Sequence, residues 1–176
     1  MTTPDKTPSR IASMFDAIAP RYDLLNHVLS AGLDRRWRDR AVDALTLRPG
    51  ARVVDLCTGT ADLAIATVTR VEGASVLGVD FAGEMLRLGL DKIRRAGLNS
   101  RVRLVRGDAA CIPAADRSCD AATVAFGIRN VAEPERALAE MARVLRPGGR
   151  LAILEFGLNG VDQLRIDIGR LVAHAE

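Results

Sequence analysis

The chain is 176 residues long, 48% hydrophobic and 27% charged, which indicates one globular domain and excludes a disordered chain. Its formal net charge of +3 is a weak sign of an anionic partner, and no basic run interleaved with aromatic residues predicts nucleic-acid binding. Three scattered cysteines and two distant histidines predict free thiols and no metal site. The sequence shows neither a signal peptide nor an apolar run of roughly 20 residues, so the expected location is the cytoplasm.

The N-terminal quarter predicts a leader and a helical lid. Residues 1–9 are rich in proline and threonine, which favours a flexible leader, and residues 10–48 have helical patterning. Pro20 is expected to end or kink the first helix of this lid. In the last helix, Trp37 is expected to face inward and the arginines outward. The two helices after Pro20 are predicted over 22–33 and 33–45.

Between residues 49 and 157, short apolar runs alternate with helical patterns. This alternation indicates an α/β domain with a mostly parallel sheet and helices on both faces. Ligands of such sheets bind at the carboxyl ends of the strands, where the strand order reverses. Four chemically distinctive patches fall at strand ends, and this coincidence is the main evidence for a site. Strands are predicted over 52–56, 75–80, 102–106, 119–126 and 150–156, and helices over 62–70, 83–96 and 134–145.

The first patch is the loop after the first strand, VVDLCTGTADL. Gly59 allows a ligand to approach the main chain closely, and the following helix start presents bare N–H groups. Asp55 places a carboxylate beside this loop, and Thr60 lies within it. A carboxylate facing N–H donors suits a ligand that has both an ammonium and a carboxylate. The loop lacks the GxGxxG of nicotinamide cofactor sites, and an ordinary strand-to-helix turn is the alternative.

The second and third patches are acidic. Asp80 closes the second strand about 20 residues after the loop, where a carboxylate can bind a ribose diol. Its alternative role is the N-cap of the next helix. Asp108 and Ala109 follow the third strand, where a carboxylate and a main-chain N–H can contact adenine. A simple turn residue is the alternative for Asp108.

The fourth patch, Phe126-Gly127-Ile128-Arg129-Asn130, ends the fourth strand and places polar groups toward the cleft, unless it is a surface loop. Tyr22, Asp23 and Asn26 share one helical turn, which predicts either part of a lid or an ordinary amphipathic helix. Cys57 has no histidine nearby in sequence, so a packed small side chain is favoured over a nucleophile.

The ordered motifs VVDLCTGTAD, GVDFAGEML, GDAACIP, FGIRNV and RVLRPGGRLAILEF resemble the class I methyltransferases that use S-adenosylmethionine. More narrowly, YDLLNHVLS, RRWR and FGIRNV are similar to motifs of the C-methyltransferases of ubiquinone and menaquinone biosynthesis. The resemblance implies a Rossmann-like fold and S-adenosylmethionine as cofactor. Ala125 replaces a serine that lines the cofactor in some family members, so that contact is absent here. By position, the family's cofactor contacts fall on Thr60, Asp80, Asp108 and Ala109, with Asp55 and Gly59 shaping the loop.

The resemblance implies methyl transfer from S-adenosylmethionine to a ring carbon of demethylmenaquinol, giving menaquinol. This chemistry needs a base, or a cation that stabilises the phenolate of the prenylated quinol. Arg129 is the first candidate for the cation, with Asn130 orienting the oxygen, and Tyr22 and Asp23 are candidates from the lid. Three alternatives stay open: a polyprenyl benzoquinol substrate, another small-molecule acceptor, and a non-catalytic remnant that binds the cofactor.

The resemblance also predicts a departure at the end of the chain. The last two strands of the family sheet are expected to be absent, and residues 158–176 predict one helix with Leu164, Ile168 and Leu171 inward. The fifth strand would then expose an edge that favours pairing with another chain, for example in a homodimer. The arginines at 35, 36, 38 and 40 fit peripheral contact with anionic lipid at the inner face of the membrane, although a solvated helix face is the simpler interpretation.

Overall fold

A computed structural model describes residues 7–30, 32–156 and 164–170. The leader predicted over 1–9 therefore lies mostly outside the described residues, as do 157–163 and 171–176 of the predicted tail. The elements are α1 (Pro8–Leu29), α2 (Leu33–Ala44), β1 (Arg52–Leu56), α3 (Asp62–Arg70), β2 (Ser75–Asp80), α4 (Gly83–Arg95), β3 (Val102–Arg106), β4 (Cys119–Ala125), a 3-10 helix (Ile128–Asn130), α5 (Pro134–Val144), β5 (Leu145–Phe156) and β6 (Leu164–Arg170).

The strands form one sheet in the order β3-β2-β1-β4-β5-β6. All neighbouring pairs are parallel except β5 and β6, which are antiparallel. The predicted α/β fold with a mostly parallel sheet is confirmed. Within β5 the register against β4 slips after Leu145 and resumes at Arg150, so the predicted Pro147-Gly148-Gly149 turn lies inside this strand as a bulge.

Helices cover both faces of the sheet, as predicted. Neighbouring residues of a strand point to opposite faces, and Val53 and Val54 accordingly belong to different buried clusters. Val53 packs in the cluster that contains Val68 of α3, whereas Val54 packs in the cluster that contains Met141 of α5. Because the strands are buried on both sides, they are continuous apolar runs rather than alternating ones.

The prediction that Pro20 interrupts the first helix is wrong, because α1 runs through it without a break. A proline inside a helix removes one main-chain hydrogen bond. Here Ala19 and Tyr22, on either side of Pro20, pack in one cluster with Ala82 and Met85 at the start of α4. Packing that engages both halves of the helix compensates for the missing bond.

The prediction that the arginines of α2 all face outward is wrong for one of them. Arg35, Arg36 and Arg40 are exposed, but Arg38 is only 8% exposed. Its guanidinium Nη1 lies 2.7 Å from a carboxylate oxygen of Asp34, one helical turn earlier. A buried arginine needs such a partner because desolvation of its charge is otherwise unfavourable.

The prediction of a helical tail with both further strands absent is also wrong, because residues 164–170 form the strand β6. It pairs along β5 from Phe156 opposite Leu164 to Arg150 opposite Arg170. The sequence LRIDIGR alternates apolar and polar residues over its first five positions, a period that fits a strand, and the open edge of β5 offers main-chain partners. Since β6 occupies that edge, the edge no longer argues for a homodimer.

Candidate functional site

The carboxyl ends of β1 and β4 meet where the strand order of the sheet reverses. From β1 the chain builds β2 and β3 on one side, then returns to build β4 and β5 on the other. Leu56 at the end of β1 lies opposite Val124 of β4. Open α/β sheets bind ligands in the crevice that this reversal creates, so the fold places the candidate site directly beyond these two residues.

The glycine loop after β1 has a left-handed backbone at alternate residues. The φ angle is 51° at Cys57, 56° at Gly59 and 66° at Ala61, and it is 57° at Phe126 after β4. Glycine adopts such angles readily, whereas a residue with a side chain is strained there. Strain of this kind concentrates at functional sites, where the surrounding fold must hold it. Three strained residues around one crevice therefore support a ligand site.

Asp80 joins the loop to the end of β2. Its Oδ2 accepts the N–H of Gly59 at 2.8 Å, and its Oδ1 accepts the N–H of Ala82 at 2.9 Å. Burial raises the pKa of Asp80, and the main-chain N–H groups of Ala82, Gly59 and Phe81 oppose that rise. Ala82, not Asp80, is the N-cap residue of α4. Each carboxylate oxygen can accept a second hydrogen bond, so Asp80 can hold the loop and still bind a diol.

Asp55 lies on the floor of the crevice at 1% exposure. The hydroxyls of Thr58 and Thr123 each donate to its carboxylate at 2.6 Å. Burial raises the pKa of Asp55 to about 6, although both hydroxyls and the charge of Arg38 lower it. Asp55 is therefore charged at neutral pH, and the two hydroxyls and Arg38 offset only part of the unfavourable desolvation of its carboxylate.

Asp108 forms the turn after β3. Its Oδ1 accepts the N–H of Ala110 at 2.7 Å, and its carbonyl accepts the N–H of Cys111 at 2.9 Å. Gly107 and Ala109 on either side of Asp108 line a cavity of the crevice. The structure thus gives Asp108 the turn role that the sequence allowed, and its contact with adenine stays a prediction.

Two adjoining cavities open at this edge of the sheet. The larger has a volume of about 700 Å³ including space open to solvent, and mostly apolar side chains of α1, β2 and α4 line it, among them Phe15, Val79 and Met85. The smaller, of about 390 Å³, has a polar lining that includes Arg38 and Asp55. Five residues line both and form the junction: Tyr22, Cys57, Gly59, Ala125 and Phe126.

The charges that act on Cys57, at the junction of the two cavities, are those of carboxylates. Burial raises the pKa of the Cys57 thiol, and the charges of Asp80, Asp55 and Asp108 raise it further. The thiol is therefore neutral, which supports its interpretation as a packed side chain and not a nucleophile. The same three carboxylates favour a cation bound at this point of the crevice.

The four predicted catalytic residues do not all lie in the crevice. Tyr22 of α1 and Asn130 of the 3-10 helix line the larger cavity. Arg129 is not among the residues that line either described cavity, and its half-exposed guanidinium lies 3.0 Å from Oε1 of Glu155 at the end of β5. The side chain of Asp23 lies outside the described residues.

Sequence reasoning missed two cations of the site. Lys92 of α4 donates to Oγ1 of Thr60 at 2.9 Å and forms an ion pair with Asp62, so it ties the glycine loop to α4. Its partners lie some 30 residues away in sequence, so no local sequence pattern predicts these contacts. For Arg38 a signal existed, because Asp34 precedes it by four residues, the spacing of a helical ion pair.

The chain matches the model of the ubiE/COQ5 methyltransferase family over residues 3–167. It belongs to this family. Similar proteins include the demethylmenaquinone methyltransferase of Thermus thermophilus, 52% identical, and the ubiquinone/menaquinone biosynthesis C-methyltransferase UbiE of Geotalea daltonii, 47% identical. These matches cover 81% and 84% of this chain. They cover 64% and 63% of the relatives, so the chain spans slightly less than two thirds of the curated relatives it matches.

Solved structures confirm the expected Rossmann-like methyltransferase fold. The [4+2]-cyclase SpnF superposes with a TM-score of 0.76 at 27% identity, covering 88% of this chain and 62% of that one. A SAM-dependent methyltransferase of Thermotoga maritima gives a TM-score of 0.62 at 25% identity, covering 82% of this chain and 61% of that one. None of the described helices has both the length and the hydropathy that crossing a bilayer requires.

Proposed function

We propose that this chain binds S-adenosylmethionine in the two adjoining cavities and methylates a ring carbon of demethylmenaquinol. The observation that carries this proposal is the junction, where an apolar and a polar cavity meet under the field of three carboxylates. S-adenosylmethionine has its groups in the same order: an adenosine for the larger cavity, a sulfonium cation for the junction, and an amino-acid end for the smaller cavity. The proposed methyl acceptor, demethylmenaquinol, is based on the names of the similar proteins.

The residues of the larger cavity fit the adenosine end. Asp80 has acceptor capacity for the ribose hydroxyls beyond its bonds to Gly59 and Ala82. Val79 and Ala109 supply apolar contact for a flat ring. Asp55, Thr60 and Asp108 are proposed to shape or contact the same ligand, with Asp55 and Thr60 at the polar end.

The cofactor supplies an electrophilic methyl group, so the protein's work is to orient the acceptor and exclude water. Phe15 from α1 gives the larger cavity an apolar wall. Asn130 and Tyr22 are proposed to hydrogen-bond the quinol oxygen, and Asp23 is proposed to take its proton. Loss of that proton makes the ring carbon nucleophilic, and the charge of Arg129 is proposed to stabilise the phenolate.

A prenylated acceptor lies in a lipid bilayer, so peripheral membrane contact is part of the proposal. Met14 and Ile18 on the outer side of α1, and Leu33 at the start of α2, are exposed by 47%, 38% and 40%. Leu33 is near the exposed Arg35 and Arg36 in sequence, and exposed apolar side chains combined with exposed arginines fit a surface that touches anionic lipid. A benzoquinol is the second candidate substrate, favoured by the name of the Geotalea daltonii relative.

Calorimetric titration with S-adenosylmethionine, followed by transfer assays with labelled cofactor, tests the proposal. We expect heat of binding, and label in the ring of demethylmenaquinol presented in detergent micelles. If only a benzoquinol is labelled, the assigned substrate changes from demethylmenaquinol to that benzoquinol. Binding of the cofactor without transfer to either quinol would indicate a cofactor-binding remnant. No heat with a folded sample would reject the cofactor assignment.

Arg129→Ala should reduce turnover about 100-fold, the usual effect of removing one charge-stabilising donor. Cofactor affinity should stay unchanged, because Arg129 does not line either described cavity, whereas its charge is proposed to act on the quinol oxygen through space from beside Asn130. The measurements are steady-state turnover and calorimetric titration on the same samples. Arg136→Ala on α5 is the matched control, since that residue is also exposed and also paired with a glutamate. Equal loss of turnover and affinity would show that Arg129 has a structural role.

A further inference from the structure

Arg38 is a buried cation at the edge of the smaller cavity. Its side chain is 10% exposed, whereas Arg35, Arg36 and Arg40 on the same helix are exposed. A guanidinium is seldom buried unless its donors are used. The position of Arg38 on α2 brings its guanidinium to the same cavity as the glycine loop, which lies more than 15 residues further along the chain.

Within the part of the chain that the structure describes, the contacts of Arg38 hold its guanidinium in place without using all of its donors. Nη1 donates to Asp34 at 2.7 Å, and Asp34 is itself bonded by the hydroxyl of Ser30. Nη2 lies 3.3 Å from Asp62, a carboxylate that Lys92 also engages. A guanidinium has five N–H donors in a planar fork that matches a carboxylate. Asp34 thus orients the fork, and Asp62 is shared between two cations.

The smaller cavity also contains a carboxylate of its own. Asp55 and Arg38 both line it, and the charge of Arg38 is one of the smaller influences that oppose the rise of the Asp55 pKa caused by burial. Asp62 also lines this cavity, but Arg38 and Lys92 both engage it and compensate its charge. Arg38 and Asp55 thus offer a cation and an anion in one cavity, which is complementary to a zwitterion. An α-amino acid group is the smallest ligand that presents both charges on one carbon.

We propose that Arg38 binds the α-carboxylate of the methionine part of S-adenosylmethionine, and that Asp55 lies on the side of its ammonium. This rests on the proposed function, and it adds a residue from α2 to a site that the motifs confine to the strand ends. Arg38 is then a cofactor-binding residue, and Asp34 is a positioning residue that acts through it.

Three ligands separate this role from a general structural one. S-adenosylmethionine has both charges, decarboxylated S-adenosylmethionine keeps the ammonium and the sulfonium, and 5′-methylthioadenosine lacks the amino-acid part. We expect the wild-type chain to bind the first more tightly than the second. In Arg38→Met, affinity for S-adenosylmethionine should fall about 10- to 100-fold, the effect of losing a charged hydrogen bond. Affinity for the other two ligands should stay unchanged.

Arg36→Met is the matched control, because Arg36 lies on the same helix and is exposed. If Arg38→Met is unfolded by circular dichroism, Arg38→Met/Asp34→Asn removes the charge of the buried carboxylate that loses its Arg38 partner in the single change. Equal loss for all three ligands in whichever variant folds, or loss of folding in both, would overturn the role of Arg38. Failure of the wild-type chain to bind any of the three would instead reject the proposed function.

Discussion

Gly127→Ala should destabilise the protein by about 3 kcal/mol, a large effect for one methyl group. A Cβ at Gly127 would lie 2.3 Å from Cβ of Cys57 and 3.0 Å from its Sγ. Both residues follow neighbouring paired strands, β1 and β4, so neither main chain can move away. The φ of −106° at Gly127 suits any residue, and the clash alone causes the loss. Thermal unfolding should show a midpoint about 10 °C lower.

A second substitution identifies the clashing atom. Cys57→Gly removes the Cβ at a position where φ is 51°, so it should restore stability to Gly127→Ala, whereas Cys57→Ala should not. Gly83→Ala is the control, because its new Cβ would meet only the end of Arg106 at 3.9 Å. A Gly127→Ala protein as stable as wild type, or equal rescue by Cys57→Ala, would contradict the expected contact.

Asp55→Asn should make the protein more stable at pH 8 while weakening cofactor binding. The folded chain raises the pKa of Asp55 from 3.8 to about 6 by burial, so the folded state binds this proton more tightly than the unfolded state. Stability from this group is therefore greatest below pH 4, falls as the pH rises to about 6, and stays low above it. The full difference corresponds to about 3 kcal/mol. Asparagine has no charge to desolvate, and Thr58 and Thr123 can rotate to serve it.

Urea denaturation of both proteins between pH 4 and pH 8 measures this effect. The free energy of unfolding of Asp55→Asn minus that of wild type should rise across this range and level off above pH 6. A mismatched hydrogen bond costs about 1 kcal/mol, so the net gain at pH 8 should be about 2 kcal/mol. Glu72→Gln removes an exposed carboxylate and should give a much flatter difference. A pH-independent difference for Asp55→Asn would contradict a strained buried charge.

Local sequence patterns predicted the Rossmann-like part of the chain because each element there is defined by nearby residues. β1, β2 and β3 begin and end where predicted, since apolar runs are bounded by turn residues such as Gly107. The position of the candidate site at the strand ends followed from the predicted topology. Gly59 and Asp80 are in direct contact, as a shared loop-and-acid site requires.

The errors have a common physical cause, which is that contacts distant in sequence override local preference. α1 continues through Pro20 because α4 packs against both sides of it. β6 forms because β5 offers an edge, and the same residues also fit a helix pattern. Arg38 has a local partner in Asp34, but its second partner, Asp62, lies in another helix. Apart from Asp34, none of these partners is visible from a window of a few residues.

Helix α1 both lines the larger cavity and packs against α4, and this combination affects the order in which two ligands bind. Phe15 and Tyr22 form a wall of the larger cavity, while the carboxylate of Asp16 accepts the N–H of Glu84 at the start of α4. A ligand in that cavity contacts this wall only while α1 is docked, so ligand binding and docking reinforce each other. Ligand at 100 times its Kd adds about 2.7 kcal/mol to the docked state. Under the proposed function, the supply of methyl donor would thus control how often the α1 wall that meets the acceptor is assembled, which favours binding of the donor before the acceptor.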